Sequence, residues 1–194
     1  MAEPPPQVPP LPLFASEQAQ RAHCARRRRW RRRALPLALG IVALASTIAL
    51  PPRPLLVWNA SASAPIGLYA VTARRTFARG DMAIVRLPAS LRRLAARRHY
   101  LPRGLPLVKR VAGVAPDRIC AQGVRITING HLAAIRRIRD GLGRPLPQWQ
   151  GCRPLGAGAL FLLMTGRADS FDGRYFGISE PGDIIGKATP LWLP

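Results

Sequence analysis

The chain is organised around a short stretch rich in serine and alanine, Asn59-Ala60-Ser61-Ala62-Ser63-Ala64-Pro65-Ile66-Gly67-Leu68-Tyr69. Its small residues leave a serine hydroxyl uncovered. Pro65 fixes the backbone of a turn, and Gly67 lets another segment of backbone approach closely. These features suit a loop that presents a serine nucleophile at an edge. Taken alone, however, the stretch is more typical of a solvated Ser/Ala loop, so its interpretation depends on the rest of the chain.

A second stretch places a lysine inside an apolar segment of β type, Leu107-Val108-Lys109-Arg110-Val111-Ala112-Gly113-Val114. Of the 30 lysine and arginine residues, only Lys109 and Lys187 are lysine. Arginine keeps its proton near neutral pH, whereas the pKa of a buried lysine falls by several units. A neutral amine can accept a proton from a serine, which makes Lys109 a candidate general base. The more common alternative is an edge-strand lysine that extends its amine to solvent.

A third stretch sets acids, a serine and an arginine among aromatic residues, Asp169-Ser170-Phe171-Asp172-Gly173-Arg174-Tyr175-Phe176-Gly177. The three stretches, in this order, resemble the type I signal peptidase family of Ser–Lys proteases, and within it the conjugative-transfer (TraF-type) peptidases. The resemblance extends from Asn59 to the C-terminus. It rests on four blocks whose joint order is specific although no single block is: Ser-x-Pro-x-Gly-Leu-Tyr, Gly80-Asp81, Val108-Lys109-Arg110-Val111-Ala112-Gly113 and Asp172-x-Arg174-Tyr175-Phe176-Gly177.

The resemblance implies a role for each polar residue of these blocks. Ser63 corresponds to the nucleophile, because Ser-x-Pro matches the family block, and Lys109 corresponds to the general base. Ser61 falls where the family has a serine whose hydroxyl helps to bind the oxyanion, together with the backbone N–H of Ser63. Ser170 corresponds to a serine that holds the lysine amine in position.

Asp172 and Arg174 correspond to a structural ion pair beneath the site and are expected to support it. Three features depart from the housekeeping members of the family. Ala64 stands where a methionine is usual, the spacing from the serine to the following proline is shorter by a residue, and Gly173 replaces a more usual serine. The shorter spacing favours the conjugative subfamily. That subfamily matures a pilin-like subunit, and some of its members join the ends of the subunit into a cyclic peptide.

The N-terminal part of the chain differs in composition from the rest. Residues 1–33 contain six prolines and end in a run of arginines, which predicts a disordered cytoplasmic tail. Residues 34–50 form an uncharged apolar run of 17 residues, the lower limit for a membrane-spanning helix. Seven arginines lie in the eight positions before this run and favour a cytoplasmic N-terminus. A cleaved signal peptide is the main alternative.

We therefore expect a single-pass anchor in the inner membrane at residues 34–50, a linker at 51–58 and a periplasmic peptidase domain at 59–194. The pattern in that domain is mainly β, and the resemblance implies an antiparallel β-sheet catalytic domain of the signal peptidase kind. Asn129-Gly130 is a strong hairpin signal, and residues 90–99 predict a short helix. Apolar or alternating segments predict further strands at 68–72, 82–87, 118–120, 124–128, 160–164, 175–178 and 184–188.

The chain is strongly basic, with a formal net charge of +21. A basic domain at the outer face of the membrane is expected to lie against anionic headgroups, which makes the lipid bilayer a partner. No stripe of aromatic residues is interleaved with the arginines as single-strand binders require, so we expect no nucleic-acid partner. The three histidines, His23, His99 and His131, are scattered. Neither a metal site nor a Ser–His triad is predicted, and no cofactor is expected.

Three cysteines divide between the two sides of the expected membrane. Cys24 lies on the cytoplasmic side, where thiols stay reduced. Cys120 and Cys152 both lie beyond the anchor and are a candidate disulfide. The alternative is a pair of buried free thiols.

Together these features predict a membrane-anchored serine endopeptidase that removes signal or pro-sequences from secreted precursor proteins, with a conjugative pilin subunit as the expected substrate. Two other functions stay open. One is a housekeeping or accessory signal peptidase that acts on many precursors. The other is a non-catalytic, membrane-anchored β module of a secretion apparatus, against which the joint presence of Ser63, Lys109 and Ser170 counts.

Overall fold

The computed structural model describes residues 13–49, 54–74 and 76–194, and within the first helix the side chains of residues 26–46. The chain divides into two compact units, Met1–Pro52 and Arg53–Pro194. The helices are α1 (Leu13–Ala49), α2 (Ala89–Arg97) and α3 (Gly173–Phe176). The strands are β1 (Leu56–Asn59), β2 (Gly67–Thr72), β3 (Met82–Val85), β4 (Leu107–Val114), β5 (Arg118–Gln122), β6 (Arg125–Ile128), β7 (His131–Ile135), β8 (Gly151–Pro154), β9 (Leu160–Leu162), β10 (Ile178–Ser179) and β11 (Ile184–Trp192).

The described part of the first unit is the helix α1. It covers residues 13–33, which the sequence predicts to be disordered. The last proline of that segment is Pro12, and the residues after it are mostly Ala, Glu, Gln and Arg, which favour a helix. Residues 1–12 of the predicted tail lie outside the described residues.

The expected membrane anchor, residues 34–50, lies mostly within α1. In the part of the chain that the structure describes, no helix is long and apolar enough to cross a membrane. Residue 50 of the expected anchor and residues 51–53 of the expected linker lie outside the described residues.

The second unit is built from two antiparallel sheets, and the domain is mainly β. The larger sheet has seven strands in the order β1-β2-β11-β3-β4-β9-β10, and the smaller has four in the order β7-β6-β5-β8. Strand pairing starts earlier than the expected boundary at residue 59, because β1 already pairs with β2 from Leu56 onward. The predicted hairpin at Asn129-Gly130 joins β6 to β7, with φ angles of 51° and 84° at the two turn residues.

Two segments of the second unit differ from the sequence prediction. The strand predicted at 175–178 is instead the short helix α3 followed by β10. The Asp172 side chain accepts a hydrogen bond from the Arg174 backbone N–H at the start of this helix, and Gly177 ends it with a φ of 77°. Residues 131–158, which carry little pattern, contain the edge strands β7 and β8. Every residue of β8 is exposed, so neither face of this strand requires apolar residues, and its sequence shows no alternation of apolar and polar residues.

The central strands of the larger sheet carry the candidate base. In β4, Lys109 lies opposite Ala83 of β3 and is 1% exposed. Leu107 and Val111 share its face of the strand and belong to one apolar cluster, whereas Val108 points to a cluster on the other face. The fold therefore surrounds the lysine with hydrocarbon near the middle of the sheet.

Candidate active site

The serine loop is held from within by two side chains. Asn59 Nδ2 donates to the carbonyl oxygens of Ser61, Ala64 and Pro65 at 2.9–3.1 Å, and its Oδ1 accepts from the Ser61 N–H at 3.2 Å. Tyr69 Oη donates to the Pro65 carbonyl at 2.7 Å. Buried hydrogen bonds of this kind cost free energy when they are broken, so the loop has one preferred shape. The sequence alone indicates no role for Asn59 in the site, although an Asn directly before a serine loop is a known turn signal.

Gly67 allows the close approach that its position in the sequence predicts. Its φ is 149°, and a Cβ there would overlap the Trp192 carbonyl oxygen and lie 2.9 Å from the Leu193 side chain. The approaching segment is the end of β11, which pairs with β2. The loop and the last strand of the sheet are therefore packed against each other at this glycine.

The Lys109 amine lies between two serine hydroxyls. Its Nζ donates to Ser63 Oγ at 2.7 Å and to Ser170 Oγ at 2.8 Å. Burial lowers the pKa of Lys109 to about 8, against the opposing effect of the Asp172 charge. The amine can therefore be neutral at a moderately alkaline pH while it touches the Ser63 hydroxyl, which is the arrangement that a general base requires.

Ser61 lies on the other side of Ser63. Its Oγ is 2.8 Å from Ser63 Oγ and accepts a hydrogen bond from the Ser63 backbone N–H at 3.3 Å. The structure thus brings Ser61, Ser63, Lys109 and Ser170 into one connected set of polar groups. A hydroxyl and an N–H beside a nucleophile are the donors that a developing oxyanion needs.

A buried ion pair shapes the loop that carries Ser170. Arg174 donates to Asp172 through Nη2 at 2.7 Å and Nε at 2.9 Å, and both side chains are almost fully buried. The same guanidinium donates to the carbonyl oxygens of Met164, Arg167 and Ala168. One arginine therefore closes the turn from residue 164 to residue 170. A bidentate guanidinium suits this role better than a lysine would.

The tight packing of α3 explains one departure from the family pattern. Gly173 stands where the family usually has a serine. A Cβ at this position would lie 2.7 Å from the Leu162 carbonyl oxygen and 2.8 Å from the Phe161 ring. Because part of that contact is with backbone, a larger residue here would displace α3 or β9.

Two residues next to the strands of the smaller sheet contact this helix, and neither is predicted from the sequence as part of the site. Trp149 Nε1 donates to the Gly173 carbonyl at 2.9 Å, and its ring packs edge-on against Phe161. Arg136 is buried and donates to the carbonyls of Gly123 and Trp149. Both residues lie in the segment that carries little sequence pattern, so only their contacts across the fold mark them.

The candidate disulfide is present in the structure. Cys120 of β5 lies opposite Cys152 of β8, and their sulfur atoms are 2.06 Å apart. The bond closes the segment that contains Arg136 and Trp149. In the part of the chain that the structure describes, no group of His, Cys, Asp and Glu side chains is arranged to hold a metal ion.

Two depressions adjoin Ser63. A cavity of about 320 Å³ contains Lys109 and Ser170 in its wall together with an aromatic and aliphatic lining: Tyr100, Leu101, Leu107, Leu146, Phe171 and Tyr175. An open groove runs along the other side of the loop, past Ile66, Met164 and Leu193. Ser63 thus stands where a bound chain can place one side chain in the cavity and continue along the groove.

Comparisons with known proteins identify the family to which the chain belongs. The family model described as "Signal peptidase, peptidase S26" matches residues 27–193. The conjugal transfer protein TraF of Agrobacterium fabrum is 32% identical over 144 residues, which cover 69% of this chain and 80% of that protein. A plasmid transfer protein TraF of Escherichia coli is 36% identical over 90 residues, or 44% of this chain and 50% of that protein. The chain therefore spans about half the length of this second relative. A solved signal peptidase I of Enterococcus faecalis shares 18% identity at a TM-score of 0.33, over 59% of this chain and 97% of that one.

Proposed function

The chain belongs to the signal peptidase family, peptidase S26, and on this premise we propose that it is a membrane-anchored serine endopeptidase with Ser63 as nucleophile and Lys109 as general base. Its substrates are precursor proteins from which it removes signal or pro-sequences. The observation that carries the proposal is the contact of 2.7 Å between Lys109 Nζ and Ser63 Oγ at a buried amine.

In the proposed mechanism the neutral Lys109 amine takes the proton of the Ser63 hydroxyl as its oxygen attacks the scissile carbonyl. The negative charge that develops on the carbonyl oxygen is stabilised by the Ser63 N–H and the Ser61 hydroxyl. Lys109 then gives the proton to the leaving nitrogen, which leaves an acyl-enzyme. A water molecule, deprotonated by the same amine, releases the product. Ser170 keeps the amine directed at Ser63 throughout.

The preferred substrate is a conjugative pilin-like subunit. This part of the proposal is supported by relatives whose names describe conjugal and plasmid transfer, one of which matches over 80% of its length. It is also supported by the short Ser63-to-Pro65 spacing. A housekeeping or accessory signal peptidase that accepts many precursors is the alternative within the same chemistry.

Membrane association is supported by two features, each within one unit of the chain. The first is the uncharged run at residues 34–50 behind a cluster of arginines, which we propose to be an anchor in the inner membrane with the catalytic domain in the periplasm. The second is an exposed apolar surface on the catalytic unit. There the Trp58 and Trp192 rings stack at 5.6 Å, and Leu56, Ile66 and Leu193 are exposed nearby. Exposed tryptophans of this kind are enriched at membrane interfaces.

The proposal is tested by processing of a pilin-like precursor co-expressed with each variant and followed by mass spectrometry. Ser63→Ala should lower conversion by more than about 10⁴-fold, because no other group can form the acyl-enzyme. Lys109→Arg should be as inactive as Lys109→Met, because a guanidinium does not accept a proton near neutral pH.

Thermal unfolding of each variant shows whether the fold survives the substitution. Conversion by Lys109→Arg at the wild-type rate would contradict the mechanism. Full activity of Ser63→Ala beside an inactive Ser61→Ala would move the nucleophile to Ser61.

A further inference from the structure

The cavity beside Ser63 has charged residues at its mouth as well as apolar residues in its wall. Arg137 and Asp140 come from the segment between β7 and β8, and Arg167 and Asp169 come from the loop that carries Ser170. All four belong to the same lining as Lys109 and Ser170, so a substrate side chain in the cavity lies close to their charges. The sum of these charges therefore affects which substrate side chains the cavity accepts.

The carboxylates of both acids, Asp140 and Asp169, already have hydrogen-bond and ion-pair partners within the protein. Asp140 accepts hydrogen bonds from Tyr100 Oη, from the backbone N–H groups of Leu142 and Arg144, and from Arg144 Nε at 2.7 Å. Arg144 does not line the cavity, so it neutralises Asp140 from outside. Asp169 pairs with Arg167, with 3.4 Å between Oδ1 and Nε.

Arg137 is left without a matching acid. Its side chain is exposed, and within the described residues its guanidinium forms neither a hydrogen bond nor an ion pair. Its charge still acts across the cavity. The pKa of Asp169 is lowered chiefly by a backbone hydrogen bond, against the opposing effect of burial, and the charges of Arg167 and then of Arg137 lower it further. When Lys109 is neutral, as the mechanism requires, the charges of the lining sum to zero, but Asp140 is paired with Arg144 and Asp169 with Arg167, so Arg137 is the cation of the lining without an ion-pair partner.

The backbone beneath Arg137 is fixed. The neighbouring Arg136 is 2% exposed and donates to the carbonyls of Gly123 and Trp149. The Arg137 N–H itself donates to Tyr175 Oη at 3.2 Å. A side chain attached to a fixed backbone loses less conformational entropy on binding a ligand than one attached to a mobile backbone, and this favours a recognition role for Arg137.

We propose that Arg137 binds a carboxylate of the precursor, supplied by a glutamate or aspartate within a few residues of the scissile bond. This inference rests on the proposed peptidase function and names a substrate class for the same site. A guanidinium and a carboxylate form paired, charge-assisted hydrogen bonds, and the half-enclosed cavity mouth screens them less than open solvent does.

The first experiment compares the purified full-length chain with three variants on a proteome-derived peptide library, with every cut located by mass spectrometry. Arg137→Gln removes the charge and Arg137→Glu reverses it. Arg139→Gln is the matched control, because Arg139 is also exposed but does not line the cavity and donates to the Gly143 carbonyl instead. The best acidic peptide is then made again with glutamine in place of its acid, and the ratio of the two kcat/KM values is measured.

We expect the wild-type chain to prefer the acidic peptide by about tenfold, as a charge-assisted hydrogen bond at a partly exposed site allows. The ratio should fall to about one in Arg137→Gln, invert toward lysine-containing peptides in Arg137→Glu, and keep its wild-type value in Arg139→Gln. Absence of acidic residues near the cuts would overturn the inference. An equal loss in Arg139→Gln would also overturn it, since that result marks general attraction to a basic protein.

A second experiment separates this inference from the proposed function. The Ser63→Ala chain, which cannot turn over substrate, is titrated by NMR with acetylated octa-alanine peptides that carry a single glutamate at successive positions, and with their glutamine counterparts. Tighter binding of a glutamate peptide than of its glutamine counterpart, with the difference lost when Arg137→Gln is added, supports the inference. Failure of the wild-type chain to cleave any peptide would refute only the peptidase proposal and would leave this support intact. Equal binding within every pair overturns the inference.

Discussion

At the scale of single residues, Lys109 meets two opposing requirements. Folding must bury its amine beside Ser63, yet burying an ammonium group is costly. The structure resolves this by lowering the pKa of Lys109 to about 8, chiefly through desolvation by its apolar neighbours. The two serine contacts of the amine provide hydrogen-bond partners in either protonation state, because a hydroxyl both donates and accepts.

This environment predicts the pH dependence of the reaction. Below a pH of about 8 the amine is mostly protonated and cannot act as a base, so kcat/KM should rise by roughly tenfold between pH 7 and pH 9 and then level off. The rise follows the loss of a proton from the free enzyme, and it should be measured with a peptide that has no group titrating in this range.

Lys187 provides the control for this profile, since it is the other lysine of the chain and pairs with Asp81 at 2.7 Å. Lys187→Gln should leave the midpoint unchanged. A rate that is constant from pH 6 to pH 9 would show that no group with the titration of Lys109 limits the reaction.

At the scale of elements, the smaller sheet acts as a support for α3. Trp149 connects the sheet to the Gly173 carbonyl, and α3 in turn contains Arg174, which closes the Ser170 loop. The disulfide between Cys120 and Cys152 joins two neighbouring strands of that sheet. The stability of the smaller sheet is therefore connected, through packed contacts, to the position of the proposed base.

Removal of the disulfide should destabilise the catalytic unit. The bond joins residues 32 positions apart, and closing a loop of that size restricts the unfolded chain by about 3–4 kcal/mol. We expect the Cys120→Ala/Cys152→Ala variant to unfold at a temperature lower by about 10 °C, as measured by circular dichroism. Reductant should lower the Tm of the wild-type chain in the same way and have no effect on the variant. A wild-type Tm that is insensitive to reductant would contradict this expectation.

At the scale of the whole catalytic unit, the exposed apolar surface and the serine loop are neighbours. Trp58 and Trp192 stack across β2, and Ile66 and Leu193 line the groove beside Ser63. If this surface rests on a bilayer, as proposed, a precursor held in the membrane is delivered close to the nucleophile. The surface would then affect substrate orientation rather than chemistry.

Substitution of this surface should therefore separate two kinds of substrate. Trp58→Ala/Trp192→Ala should slow conversion of a precursor embedded in lipid vesicles on the order of tenfold, while the rate on a soluble peptide stays the same. Leu132→Ala is the control, because Leu132 is equally exposed but lies on β7 of the smaller sheet. Equal slowing with both substrates would point to a damaged fold instead of a lost membrane contact.

The sequence by itself determined the residues of the candidate site and the class of the fold. Lys109 stands out in its local context, as a lysine in an apolar strand of an arginine-rich chain, whereas Ser63, Ser170, Asp172 and Arg174 are candidates because their blocks resemble those of the signal peptidase family. The mainly β class follows from alternation along the strands, and the hairpin at residues 129–130 follows from local turn chemistry. The strand and hairpin signals arise from residues close together in the sequence, whereas the site prediction depends on the joint order of blocks that lie far apart along the chain.

The tertiary structure alone decided which distant residues support the site. The local sequence of residues 173–176 predicts a strand, but the segment is the helix α3. Its helical form depends on the Asp172 cap and on the absence of a side chain at Gly173, which packs directly against Phe161. Arg136 and Trp149 are ordinary polar or aromatic residues in the sequence, and their importance lies in the carbonyl groups that they contact. Those carbonyls belong to backbone that the fold brings close, so no local pattern of side chains can indicate them.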